Sequence, residues 1–178
     1  MQDVPTEELE EILVKKCDLP SSRASLMVKV MDSLQLYRSQ ANLFSGKNAT
    51  ITVRDLLKWA GRVNLNRDKD THVDADQMAM EGFFVLGERS RNAQDKLFIK
   101  QTLEKVFKVQ IDEENFYETY FDQNLKDLFD KVPKELNLPK IIPSKQLKRL
   151  AVLVEKCLKN REPVLLVGET GCGKTTLC

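Results

Sequence analysis

Histidine is almost missing from this sequence, with His72 alone among 178 residues. Without a second imidazole or closely spaced cysteines, neither a zinc centre nor a histidine-based acid–base pair has the groups it needs. His72 therefore reads as a surface residue. Cys17, Cys157, Cys172 and Cys178 show no metal-ligand spacing. Cys172 falls inside a glycine-rich loop where a disulfide would be disruptive, so a reducing compartment is expected. There is no signal-peptide pattern and no apolar run long enough to cross a bilayer, which leaves cytosol or nucleus and no membrane partner. An excess of one charge is also lacking. The 28 basic and 27 acidic residues give a formal charge of +1, so no overall field draws the chain to nucleic acid. No internal repeat or low-complexity segment is evident.

What is present is concentrated at the C-terminal end. The apolar run Val164-Leu165-Leu166-Val167 reads as a strand and leads into Gly168-Glu169-Thr170-Gly171-Cys172-Gly173-Lys174-Thr175. This is the pattern of a phosphate-binding loop. Its glycines let successive backbone N–H groups close around a phosphate without Cβ clashes, and Lys174 adds a point charge. The Thr175 hydroxyl is the candidate Mg²⁺ ligand, and Thr175-Thr176-Leu177 begins a helix whose N-terminus favours an anion. ATP and Mg²⁺ are the implied cofactors; an ordinary Gly-rich strand-to-helix turn is the plainer alternative. A complete fold of this kind also needs parallel strands, an acidic Mg²⁺ partner and a group that orients water. Three residues after Thr175 cannot supply them, so the sequence reads as a piece of a larger ATPase and is expected to be inactive alone.

Upstream, the chain reads as a series of helices. Thr6 is the expected cap of the first, with Glu7 and Glu8 behind it and Leu9, Ile12 and Leu13 on one face. Pro20 ends that helix, and Ser21 or Ser22 caps the next. From Ser22 to about Arg38, the residues Ala24, Met27, Val28, Met31 and Leu34 form a stripe that reads as core rather than as an adaptable binding face. Asn42–Asn48 is an expected loop. Thr52-Val53-Arg54-Asp55 fits a capping box before a helix buried through Val53, Leu56, Leu57 and Ala60. Trp59 is expected to anchor packing at its edge. Arg54 sits in the first turn, where a cation opposes the helix dipole; such local conflicts are a place to look for function.

Residues Asn64–Thr71 read as a loop, and Asp74 as the cap of a helix carrying Ala75, Met78, Ala79, Gly82, Phe83 and Leu86. Gly82 on that stripe implies close approach by a neighbouring helix. Glu88–Asn92 reads as a solvated connection, followed by a helix from about Ala93 to Lys108 with Leu97, Leu103, Val106 and Phe107 inward. The aromatic-rich segment Glu114–Lys131 is interrupted by Asp122, Asp127 and Asp130, so it reads as packing and no direct nucleic-acid site is evident. Pro133, Pro139 and Pro143 mark a stiff connection. A last amphipathic helix to about Lys159 turns Leu147, Leu150, Ala151, Val154 and Leu158 inward. The expected fold is mainly α: a helical unit over 1–132, a linker over 133–143, and the truncated opening of an α/β P-loop domain (helix, strand, loop) over 144–178.

Three stretches together resemble the midasin family, very large nuclear proteins with tandem AAA modules in one chain. They are Val4–Leu13, then Leu43-Phe44-Ser45-Gly46-Lys47 with Ile51–Ala60, and the Gly168–Thr176 loop. The Arg54–Trp59 stretch also resembles dynein-like and MoxR-like lids. The resemblance implies that residues 1–132 are the helical lid of one AAA module and that residues from 133 onward open the next. It matches Arg54 to the sensor-2 arginine that reaches the γ-phosphate, against the alternative of a surface or lid-core arginine. It also implies neighbouring AAA modules as partners, and remodelling of pre-60S ribosomal particles with their assembly factors in nucleolus and nucleoplasm.

Two other readings stand beside it. The loop also resembles that of DEAH-box RNA helicases, although these usually continue with Gln where Leu177 stands. Alternatively, the chain is a non-catalytic helical interaction module with no ATP affinity.

Overall fold

The computed structural model describes residues 5–41, 51–65, 74–90, 92–135, 141–169 and 174–177. Among these the chain is helical and forms no strand. It divides into two compact units, Met1–Ile111 and Asp112–Cys178.

The first unit opens with α1 (Thr6–Cys17) and α2 (Ser21–Ala41). Thr6 does not cap α1 as expected but is its first helical residue. The Pro5 carbonyl takes the first helical bond, from Leu9 N–H at 3.1 Å, while the Thr6 hydroxyl is drawn to Asp32 of α2. Glu7 and Glu8 do occupy the first turn, where the dipole favours acids. Asp18 ends the helix in the left-handed conformation, with φ 50°. The Pro20 carbonyl then accepts from Ala24 N–H at 3.0 Å and starts α2. Ala24, Met27, Val28, Met31 and Leu34 are all buried, so the methionine stripe is core.

Helix α3 (Val53–Leu65) packs on α4 (Ala75–Gly82) at the centre of this unit. It includes Asn64 and Leu65, which the sequence placed in a loop. The rest of that loop, His72, and the expected loop at Asn42–Asn48 lie outside the described residues. Trp59 does not sit at the edge of the packing: it is fully buried, because its N–H finds a partner inside, the Met78 carbonyl at 2.8 Å. The Phe107 ring meets it edge-on at 5.8 Å. A Cβ at Gly82 would stand 2.6 Å from the indole, so the close approach implied by this glycine is that of Trp59. Between the same two helices, Arg62 and Glu81 form a buried ion pair at 3.8 Å.

Helix α4 does not continue as an α-helix. Phe83–Gly87 form a π-helical turn closed by Glu88 N–H donating to the Phe83 carbonyl at 3.1 Å, and all five residues of the turn are buried. The connection behind it is not solvated throughout, because Glu88 is nearly buried and pairs with Lys96 at 3.0 Å. Asn92 then caps α5 (Ala93–Phe107) by accepting from Gln94 N–H at 3.0 Å. Ile99, Leu103 and Phe107 face the core. Leu97, expected among them, is exposed, because two residues of helix from Ile99 turn it to the opposite side.

The second unit contains α6 (Glu113–Asn124), α7 (Lys126–Glu135), α8 (Lys145–Lys159) and α9 (Lys174–Leu177). Aromatic residues of α6 pack against α8, whose bases lie over their rings: Arg149 over Tyr117 at 5.6 Å and Lys156 over Tyr120 at 5.0 Å. Tyr120 also donates to Glu155 at 2.8 Å and accepts from Lys159 at 3.1 Å. Burial raises its phenol above the ordinary value. The mixture of aromatic residues and bases is therefore internal packing. On α8, Ala151 and Val152 are buried, whereas Leu158, expected inward, is exposed because the α6 seam takes the adjoining face. Pro133 lies inside α7, Pro143 precedes α8, and Pro139 is outside the described residues. The apolar run Val164–Val167 has no ladder partner among the described residues and so forms no strand there; Leu165 and Val167 are 86% and 83% exposed.

The two α3–α4 glycines make opposite predictions. Gly82→Ala is expected to destabilise the chain by about 1–3 kcal/mol, because the new methyl meets the indole. Gly61→Ala, with open space around its Cβ, is expected to stabilise it by about 0.5–1 kcal/mol. Urea unfolding of the three proteins checks both signs.

Candidate functional site

Two sets of residues are the candidates for the site, one in each unit. In the second, Gly168 and Glu169 follow the apolar run and Lys174 begins α9. The Lys174 ammonium donates to the Gly168 carbonyl at 2.8 Å and to the Glu169 carbonyl at 2.6 Å. The two ends of the loop are thus tied together through its lysine. Thr170, Gly171, Cys172 and Gly173 lie outside the described residues; Thr175 is exposed, and Thr176 is described only as part of α9. The donor set fits a phosphate group, since Lys174 supplies a charged donor at the loop's mouth and Thr175 an accessible hydroxyl for a hard cation. Helix α9 is only four residues long, so the fit rests on Lys174 and Thr175 rather than on a helix dipole.

In the first unit, Arg54 is exposed in the first turn of α3 and has no partner among the described residues. Its neighbour Asp55 holds that turn. One carboxylate oxygen, Oδ2, accepts from Thr52 N–H at 2.8 Å, as the capping pattern implies. The other half of the pattern is absent. Instead of accepting from the first turn, the Thr52 hydroxyl donates to the same Oδ2 at 2.9 Å, because the carboxylate is the stronger acceptor nearby. The Asp55 Oδ1 is taken by Arg89, whose Nη1 donates at 2.5 Å across 34 residues of sequence. Sequence reasoning misses Arg89, which stands in a stretch that reads as solvated. Its partner could be found only by knowing how the π-helical turn presents it.

Lys174 is thus brought together with Gly168 and Glu169, and Arg89 with Asp55, the sequence neighbour of Arg54. Residues 8–110 match the family model described as the midasin AAA lid domain. Midasin of Dictyostelium discoideum is 40% identical over 186 aligned positions that include the whole chain. The chain belongs to the midasin family. Residues 131–178 match a second model, the P-loop containing dynein motor region. Midasin of Giardia intestinalis is 29% identical, with 98% of this chain covered. The chain spans about 3% and 4% of the length of these two relatives. The midasin lid match ends at residue 110, beside the end of the first compact unit at Ile111, and Arg54 lies within it. Lys174 and its loop lie within the dynein-motor match.

The two bonds to Asp55 differ in weight. Asp55→Ala, which removes cap and ion pair together, is expected to cost about 1–3 kcal/mol. Arg89→Ala should cost about 0.5–1 kcal/mol, because the Arg89 side chain is 44% exposed. Denaturant midpoints of the two variants would order them.

Proposed function

We propose that this chain joins two AAA modules of a longer ATP-hydrolysing protein. Its first unit closes as a lid over a nucleotide held by the preceding module, with Arg54 as the sensor-2 arginine on the γ-phosphate. Its second unit opens the following module, where Lys174 binds the β- and γ-phosphates of ATP and Thr175 holds Mg²⁺. The observation that carries this reading is the Lys174 ammonium fixed across the mouth of its loop by Gly168 and Glu169, in a chain whose preceding unit matches a midasin lid. Arg54 supports it too, as an exposed cation retained where the helix dipole disfavours one.

Nucleotide state at the first site would set the lid's position, and the residues after Ile111 would pass that change to the next module. The work done is remodelling of pre-60S ribosomal particles and release of their assembly factors in the nucleolus and nucleoplasm. That part of the proposal rests on family membership. The helicase reading of the loop has no support from the lid upstream of it. By itself the 178-residue chain should bind little ATP, because the run before the loop has no ladder partner among the described residues and ordering it on binding is costly.

In the longer protein, Lys174→Ala is expected to weaken nucleotide binding at the following module about tenfold or more, the loss of a charged phosphate contact. Arg54→Ala should leave that binding intact and blunt the response of the preceding module to ATP. Equilibrium binding of a fluorescent ATP analogue, with turnover measured in parallel, reads the two separately. Unchanged turnover and unchanged ring conformation with Arg54→Ala would remove the sensor assignment. Calorimetry showing tight Mg-ATP binding by the 178-residue chain would refute its expected inactivity.

A further inference from the structure

Arg54 is carried on the first turn of a helix, and the position of a first turn is set by whatever satisfies its end. Here that is the Asp55 carboxylate, with one oxygen committed to Thr52 and the other to Arg89. Thr52 is adjacent in sequence and moves with α3. Arg89 does not: it is anchored on a different element, immediately after the π-helical turn.

That anchor is firm on both sides. Before Arg89, Glu88 N–H closes the π turn on the Phe83 carbonyl, and the Glu88 side chain pairs with Lys96 of α5. After it, Ser90 N–H donates to the Gly87 carbonyl at 3.0 Å, and the Ser90 hydroxyl donates to the Asn92 carbonyl at 3.2 Å. Gly87 itself is pressed against the Phe83 ring, where a Cβ would come within 2.8 Å. Arg89 follows in the turn beyond the π-helical segment, and from there its guanidinium reaches Asp55 of α3.

We infer that Arg89 is a positioning residue for Arg54: through Asp55 it ties the first turn of α3 to the end of the π-helical turn and so fixes where the exposed Arg54 guanidinium stands. The inference rests on the reading of Arg54 as a nucleotide contact. Arg89 itself touches no substrate.

A double-mutant cycle in the longer protein tests it. Arg54→Ala, Arg89→Ala and the pair are compared by the dependence of turnover on ATP concentration. Arg89→Ala is expected to raise the apparent KM for ATP about threefold, the size of a part-exposed ion pair. In the Arg54→Ala background it should add nothing, because its effect runs through Arg54. Arg89→Lys, which keeps the charge, should recover part of the loss and guards against a variant that merely folds poorly. An Arg89→Ala effect that persists in full without Arg54 overturns the inference, as does no effect when Arg54→Ala has one. If Arg54→Ala changes nothing, the nucleotide-contact reading falls and the positioning role with it. A separate readout in the 178-residue chain is hydrogen exchange at the Asp55 and Leu56 amides, both bonded to the Thr52 carbonyl. Exchange about threefold faster in Arg89→Ala is expected; unchanged exchange overturns the clamp whatever the kinetics show.

Discussion

Trp59 fits inside the first unit only because Gly82 has no side chain. The indole lies where a Cβ of α4 would be, and its N–H is satisfied by the Met78 carbonyl of the same helix. A tryptophan buried without that partner would leave a polar group unpaired in an apolar core, at a cost of about 1–3 kcal/mol. Steric room and hydrogen bond thus come from one helix and fix α3 on it in a single register. The Arg62–Glu81 pair, between the same two helices, is compatible with that register and would be broken by a slip of either helix. Everything α3 presents at its other end, Arg54 included, takes its placement from this seam.

Directly after Gly82 of this seam the chain leaves α geometry. Phe83 must stay in the core, Leu86 must stay in the core, and Arg89 must reach Asp55. All five residues of the turn at Phe83–Gly87 are buried, so core surrounds this turn rather than meeting one stripe of it. The π turn is where the packing demand of α4 and the clamp on α3 are reconciled.

Much of this could be read in the sequence, because local rules governed it. The α2 stripe, the Asp74 cap and the role of Gly82 follow from spacing and residue chemistry within a few positions. Elsewhere a distant partner overrides the local rule. Thr6 has the chemistry of a cap, but Asp32 claims its hydroxyl; Glu88 has the look of a solvated acid, but Lys96 covers it. Leu158 has an inward spacing on a helix whose face is in fact chosen by the aromatic residues of α6. The site was legible to the same extent. Lys174 and Arg54 announce themselves by motif and by a charge in the wrong place, whereas Arg89 carries no local signal.

The two candidate cations solve opposite problems. Lys174 is held by two carbonyl oxygens of its own loop, which fix the position of its ammonium. Arg54 has an acid beside it in sequence, which could have cancelled its charge. Adjacent residues of a helix do not face each other, and both Asp55 oxygens are already engaged, by Thr52 and by Arg89. The acid therefore spends its charge on a different arginine. A guanidinium left exposed and without a partner among the described residues, at a helix end that disfavours it, gains most from an anion brought to it.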